Sequence, residues 1–181
     1  VCVTINNFGG NDQLAGKWQY FIFDEYNSSN VLVDSDTTIY GGEVEDYCYN
    51  YDQNIDINFT RKEHNWIELM SNGDYTDNYK STFIYNDTVS LLSLCEDLYY
   101  YNNEDYFKYT GKWSYNPNTN KVIMLDKVEY SSFGSPEQST ETYDPPSLYL
   151  DATLVSVNSS TLVLKQLYPD GSYELYTFIK F

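Results

Sequence analysis

The nine residues Phe107-Lys108-Tyr109-Thr110-Gly111-Lys112-Trp113-Ser114-Tyr115 decide the fold. Phe107, Tyr109, Trp113 and Tyr115 occupy alternate positions, and Lys108, Thr110, Lys112 and Ser114 fill the positions between them. A strand sends successive side chains to opposite faces, so this period of two reads as a half-buried β-strand. The run NPNTN at 116–120 supplies turn formers, and VIML at 122–125 reads as the next strand. Upstream the pattern repeats: WIELM at 66–70, a tight turn at 71–74 (SNGD), and a returning strand over 75–85. That strand sets Tyr75, Tyr79 and Phe83 on one face and Thr76, Asn78, Lys80 and Thr82 on the other.

Further out, GKWQYFIFD at 16–24 opens the domain, which spans residues 13–181 behind a polar, glycine-containing lead-in at 1–12 that reads as flexible. Residues 25–62 alternate short β-like pieces (37–40, 47–51, 55–59) with Asn/Asp/Ser/Gly clusters, and read as an elaborated connection with room for an extra hairpin. The apolar run within 86–105 fits a strand or a helical turn. Residues 129–147 hold Pro136, Pro145 and Pro146 among many Ser, Thr and Glu, and read as one long exposed loop. The end is a meander, 148–157, 161–168 and 173–181, with turns at 158–160 and 169–171. Strands joined by short turns are antiparallel neighbours. The expected fold is therefore all-β: an antiparallel up-and-down barrel of about eight strands, closed on itself so that few edges remain exposed.

Composition agrees. Twenty-one tyrosines favour pleated, half-buried surfaces, while alanine, the best helix former, occurs only at Ala15 and Ala152. The formal charge of −17 repels phosphate backbones and anionic headgroups, so nucleic acid is not an expected partner. No run approaches the 18 or so apolar residues that a spanning helix needs. Cys2, Cys48 and Cys95 are too widely spaced for a zinc signature. Cys48 and Cys95 are candidates for a disulfide in an oxidising compartment. Cys2 has two readings: an ordinary cysteine in a frayed terminus, or an acylated anchor of the bacterial lipoprotein kind.

Leu14-Ala15-Gly16-Lys17-Trp18 resembles the Gly-x-Trp opening of the lipocalins, and the segments WIELMSNGDYTD (66–77), YTGKWSYNPNTNKVIML (109–125) and 154–181, with its paired Leu162 and Leu164 and closing YTFIKF, are similar in order to the lipocalin-like cell-envelope lipoproteins of Bacteroides-type bacteria. The resemblance covers about two-thirds of the chain. It implies that Gly16 and Trp18 form a structural barrel floor. Lipocalins often set a late-strand Arg against that Trp; here only Lys180 is available. It further implies an extracytoplasmic protein of the bacterial envelope, in the periplasm or on the outer membrane. Such a protein binds a small apolar or amphipathic molecule and touches membrane only through an N-terminal lipid.

The chemistry-bearing residues give little to set against a binding role. His64, the single histidine, reads as an exposed strand-edge residue; no Gly-x-Ser-x-Gly nucleophile motif occurs, and a one-histidine chain lacks a catalytic zinc set. Asp34-x-Asp36-x-Thr38 with Glu45 copies a calcium-loop spacing, yet Ile39 stands where the loop needs glycine. A looser, weak calcium site in that acidic segment stays open, but no metal, cofactor or catalysis is expected. With 27 acidic residues, no one pair of carboxylates stands out. The expected ligand wall is aromatic: Tyr75, Tyr79, Phe83, Tyr109 and Trp113, some serving as core and those toward the mouth as pocket. The alternative is a carbohydrate-binding or surface interaction module with a filled barrel and exposed Tyr and Trp.

Overall fold

Period-two segments become strands throughout a computed structural model that describes residue 9 and residues 11–50, 52–84, 104–133 and 138–181. In order the strands are β1 (Gly16–Tyr26), β2 (Leu32–Thr37), β3 (Gly42–Asn50), β4 (Ile55–Leu69), β5 (Asp74–Ile84), β6 (Glu104–Asn116), β7 (Lys121–Phe133), β8 (Gln138–Val157), β9 (Thr161–Leu167) and β10 (Tyr173–Lys180). They lie in the order β2-β1-β10-β9-β8-β7-β6-β5-β4-β3, every neighbouring pair antiparallel. A further pairing of β1 with β4 closes β1 and β4–β10 into an eight-stranded barrel, the all-β architecture expected from the sequence.

Closure is uneven. β1 meets β4 only where Gly16, Lys17, Trp18 and Gln19 face Leu69, Glu68, Ile67 and Trp66. Farther along, β1 turns to β2 and β4 to β3, so the seam splays toward the other end. Residues 38–41 cross the split, with Thr38 N–H donating to Phe21 O and Gly41 N–H to Glu63 O. The region 25–62 thus builds one flanking strand and one hairpin, as its alternating composition suggested.

The closed end is an apolar floor. Trp18 and Trp113, each from a Gly-Lys-Trp triplet, are fully buried with Leu14, Ile67, Leu69, Val122, Met124 and Leu162. Their indole N–H groups donate to Leu14 O and Met70 O, both at 2.8 Å, which satisfies the only polar atom either ring brings inside. Lys180 lies over the Trp18 ring, its Nζ 4.8 Å from the centroid, and donates to Ala15 O at 3.1 Å. Gly16 has φ +140° and a Cβ there would fall 2.7 Å from Lys180 Cε, so glycine makes room for that ammonium. Gly111 makes room of another kind: a Cβ would lie 1.9 Å from Leu125 O and 2.9 Å from Tyr75 Cε1.

Four local expectations are corrected. Within 129–147, residues 129–132 and 138–142 pair as strands and are not loop, while 143–146 stand out of the β7–β8 register. Residues 139–142 are exposed on both faces, which removes the hydrophobic alternation by which a strand is usually read. Gly9, inside the supposedly free lead-in, is bonded to β6 through Trp113 O and Tyr115 N. His64 stands in the middle of β4, not at an edge, with Tyr40 packed edge-on at 4.7 Å. Asn78 points outward as read but is only 5% exposed, because Tyr106 covers it and donates to its Oδ1. Cys2, Cys95 and the 86–103 run fall outside the described residues, as do the side chains of Cys48 and Phe83.

Candidate functional site

Above the floor the interior changes character. On β5 the odd-numbered positions point inward, which places Asp77 between Tyr75 and Tyr79 on the core side of the strand. Asp77 is only 8% exposed. Its Oδ2 accepts from Tyr149 Oη at 2.5 Å and Tyr20 Oη at 3.1 Å. One strand pair away, buried Asp126 accepts from Tyr75 Oη. Two carboxylates and three phenols thus form a polar belt across a barrel whose floor is hydrocarbon.

Two bulges aim the belt. Between Met124/Leu150 and Leu125/Leu148 the partner strand advances by an extra residue, and that residue is Tyr149. A bulge breaks the strict alternation and re-aims one side chain; here it brings Tyr149 to Asp77. On β1, Phe21 is the extra residue between Tyr20 and Ile22, and its carbonyl holds Thr38.

Over the belt lies an open cavity of about 300 Å³. Asp77, Tyr20 and Tyr149 form its base; Tyr79, Tyr109 and Tyr176 stand around it; Phe21, Ile22 and Phe23 line the β1 side, facing Asn65 and Thr38 across the split seam. A smaller chamber of about 90 Å³ lies against Tyr20, Tyr149 and Tyr176 from the floor side, bounded by Ile67, Met124 and Phe178. Gln166 also lines it, and its Oε1 is buried with no hydrogen-bond partner.

The electrostatics follow from burial. Desolvation lifts the Asp77 carboxyl from its ordinary 3.8 to about 6, against the hydrogen bonds from Tyr149 and Tyr20 that favour its charged form, while nearby Asp126 pushes it further up. Desolvation raises Asp126 too, opposed by the Tyr75 hydroxyl. Tyr20, Tyr75, Tyr149 and Tyr176 are all held above the usual phenol range, first by burial and then by the carboxylates they face. These phenols stay protonated and act as donors.

Of the five residues expected to form a ligand wall, Tyr79 and Tyr109 line the cavity. Tyr75 is 1% exposed and lies under it, its ring stacked beside Tyr149 at 6.3 Å between centroids. Trp113 is wholly in the floor. Phe83 lies opposite Arg61 in the β4–β5 register. Gly16 and Trp18 occupy the floor positions anticipated for them. The residues that sequence reading missed are Asp77, Tyr20, Tyr149 and Tyr176. Alternation alone assigns Asp77 to the inner face, but a carboxylate between two tyrosines is ordinarily taken for surface. Tyr149 was hidden by its bulge, which no periodic pattern reports.

Among the described residues no cluster of His, Cys, Asp and Glu is arranged to hold a metal ion. Compared with known proteins, the chain matches no family model, and no curated protein is significantly similar to it.

Proposed function

We propose that this domain is a non-enzymatic binding protein that takes a small, largely apolar or amphipathic molecule into the open half of its barrel. The observation that carries this reading is the cavity of about 300 Å³ over the Asp77 belt, walled by aromatic rings and open on one side. Mostly apolar walls with a few convergent polar groups are what a small-molecule site requires. The polar atoms at its base are held by mutual hydrogen bonds, so they are preorganised before anything binds.

Extracytoplasmic work at a bacterial envelope, with Cys2 as the lipid-bearing residue, belongs to the same proposal. It rests on the lipocalin-like order of motifs, and the Lys180 ammonium over Trp18 supports that likeness by standing where lipocalins often place an arginine. The rival reading, a carbohydrate-binding or surface interaction module, wants exposed Tyr and Trp on a filled barrel. Tyr47 is exposed, but Trp18 and Trp113 are in the core, Trp66 packs against Tyr40, and a cavity of about 300 Å³ stands in the open half.

The test is titration with N-phenyl-1-naphthylamine, an uncharged fluorescent probe. Saturable binding in the micromolar range is expected. Tyr79→Ala and Tyr109→Ala should each weaken it roughly tenfold, which is about 1.4 kcal/mol of binding energy, while melting temperature falls far less than for a floor substitution. Binding that does not saturate, or that ignores both tyrosines, would sink the proposal.

A further inference from the structure

Accepting that the cavity binds a small molecule, we propose that it selects an amine: a cationic amphiphile whose ammonium group sits against Asp77 while its hydrocarbon part lies along Phe23, Tyr79 and Tyr109.

The hydrogen-bond accounting of the interior points to it. Tyr20 and Tyr149 donate to Asp77, Tyr75 to Asp126, Tyr79 to Glu63, Tyr176 to Glu174 and Tyr143 to Glu129. Each of these phenols has one proton to give, and each has already given it to a carboxylate. What these phenols leave at the base of the cavity is acceptor capacity, the Asp77 carboxylate and phenolic lone pairs, and the inner chamber adds the unpartnered Gln166 Oε1. The group that a ligand sets against Asp77 must therefore be a donor.

Charge points the same way. Among the described residues, the ion pairs leave Asp77 and Asp126 without a cation. Arg61, on the inner face of β4, is spent on Asp46 and Glu63, and Lys180 is on the floor. A buried carboxylate with no counter-charge is costly, and an arriving cation recovers much of that cost. The faces of Tyr and Phe attract a cation as well, so the same walls that suit a hydrocarbon tail suit an ammonium head. A carboxylate-headed amphiphile would instead meet like charge at the base. The overall charge of −17 draws cations toward the mouth from a distance.

Three probes with one chain length separate the possibilities: octylamine, octanol and octanoate, titrated calorimetrically at pH 7.5 in 0.3 M salt, where attraction between exposed charges is strongly screened. Octylamine should bind at least tenfold more tightly than octanol, and octanoate more weakly than either. Asp77→Asn should erase the amine advantage and leave octanol within about twofold. A measurement on the unaltered protein guards against a variant that fails to fold: the advantage should shrink as pH falls from 7.5 to 5. The groups facing Asp77 are Tyr20, Tyr75, Tyr79, Tyr109, Tyr149, Tyr176 and Asp126, and burial holds each of these tyrosines above its ordinary range. Of this set Asp77, whose carboxyl burial lifts to about 6, titrates in that interval. Equal binding of octanol and octylamine, or preference for octanoate, overturns the amine assignment and leaves the binding reading standing. If none of the three binds, the binding reading itself fails and takes this one with it.

Discussion

The two halves of this barrel are built from the same strands and obey different physics. Toward the closed end each inward position carries hydrocarbon, and the few polar atoms, the indole N–H groups, are satisfied by backbone carbonyls. Toward the open end alternation delivers Asp77, Tyr79, Tyr109 and Tyr176, a bulge adds Tyr149, and the seam between β1 and β4 no longer closes. The floor is filled by fully buried side chains, with a small chamber of about 90 Å³ on its inner side. The open half keeps space and a buried carboxylate with no cation beside it among the described residues, features that cost stability. The difference teaches that this chain separates a packed core from an open cavity along the barrel axis.

The sharpest way to break that comparison is to empty the floor. Trp18→Ala and Trp113→Ala each remove a fully buried ring and leave a void, at a cost of roughly 3–5 kcal/mol. Urea denaturation should show both variants largely or wholly unfolded, with Trp18→Phe retaining most of the stability. A Trp18→Ala protein that melts with the parent would mean that the floor is not where stability resides.

Next in size is the belt, probed by pH. A folded-state carboxyl raised to about 6 binds its proton more tightly than the unfolded chain does. The stabilisation is therefore fully present below about pH 4 and is lost as pH rises through 6. With a shift of this size the loss is on the order of 2–3 kcal/mol, and Asp126, shifted the same way, adds to it. Chemical denaturation between pH 4 and 7.5 should show stability declining with pH. Asp77→Asn should remove most of that decline and leave the Asp126 part; a slope unchanged by the substitution would place the titrating group elsewhere.

The smallest effect sharpens the floor itself. Lys180→Met removes the charge over Trp18 and keeps a flexible stem of similar length. The loss expected is about 1 kcal/mol or a little more: part is the cation–π contact at an accessible site and part the hydrogen bond to Ala15 O. Thermal melts suffice to read it, and probe binding in the open half should not change.

How much of this was legible beforehand differs between the halves as well. Gly16, Trp18 and the alternating aromatics of 107–115 announce a floor and an inner face because burial of apolar area is local information, written at every second residue. The β4–β5 turn is legible for a similar reason: Gly73 sits at φ +82°, a conformation open to glycine. The reading failed where the outer environment changes. Residues 138–142 pair with β7 without an apolar face, and Tyr106 turns Asn78 from a surface residue into a buried one. It failed again at Tyr149, whose role depends on a one-residue offset between β7 and β8.

By itself, then, the sequence determined the strand period, the antiparallel meander, the aromatic inner face and the strongly negative field, since each depends on residue type and spacing along the chain. Only the tertiary structure decided that the β1–β4 seam opens, that Trp113 is floor while Tyr109 is wall, and that Asp77 meets Tyr20 from 57 residues upstream and Tyr149 from 72 residues downstream. Those contacts are made by closing a sheet on itself. Closure sets which inward positions share a level of the barrel, and bulges shift that level by single residues, so the cavity exists only once the register around the whole ring has been fixed.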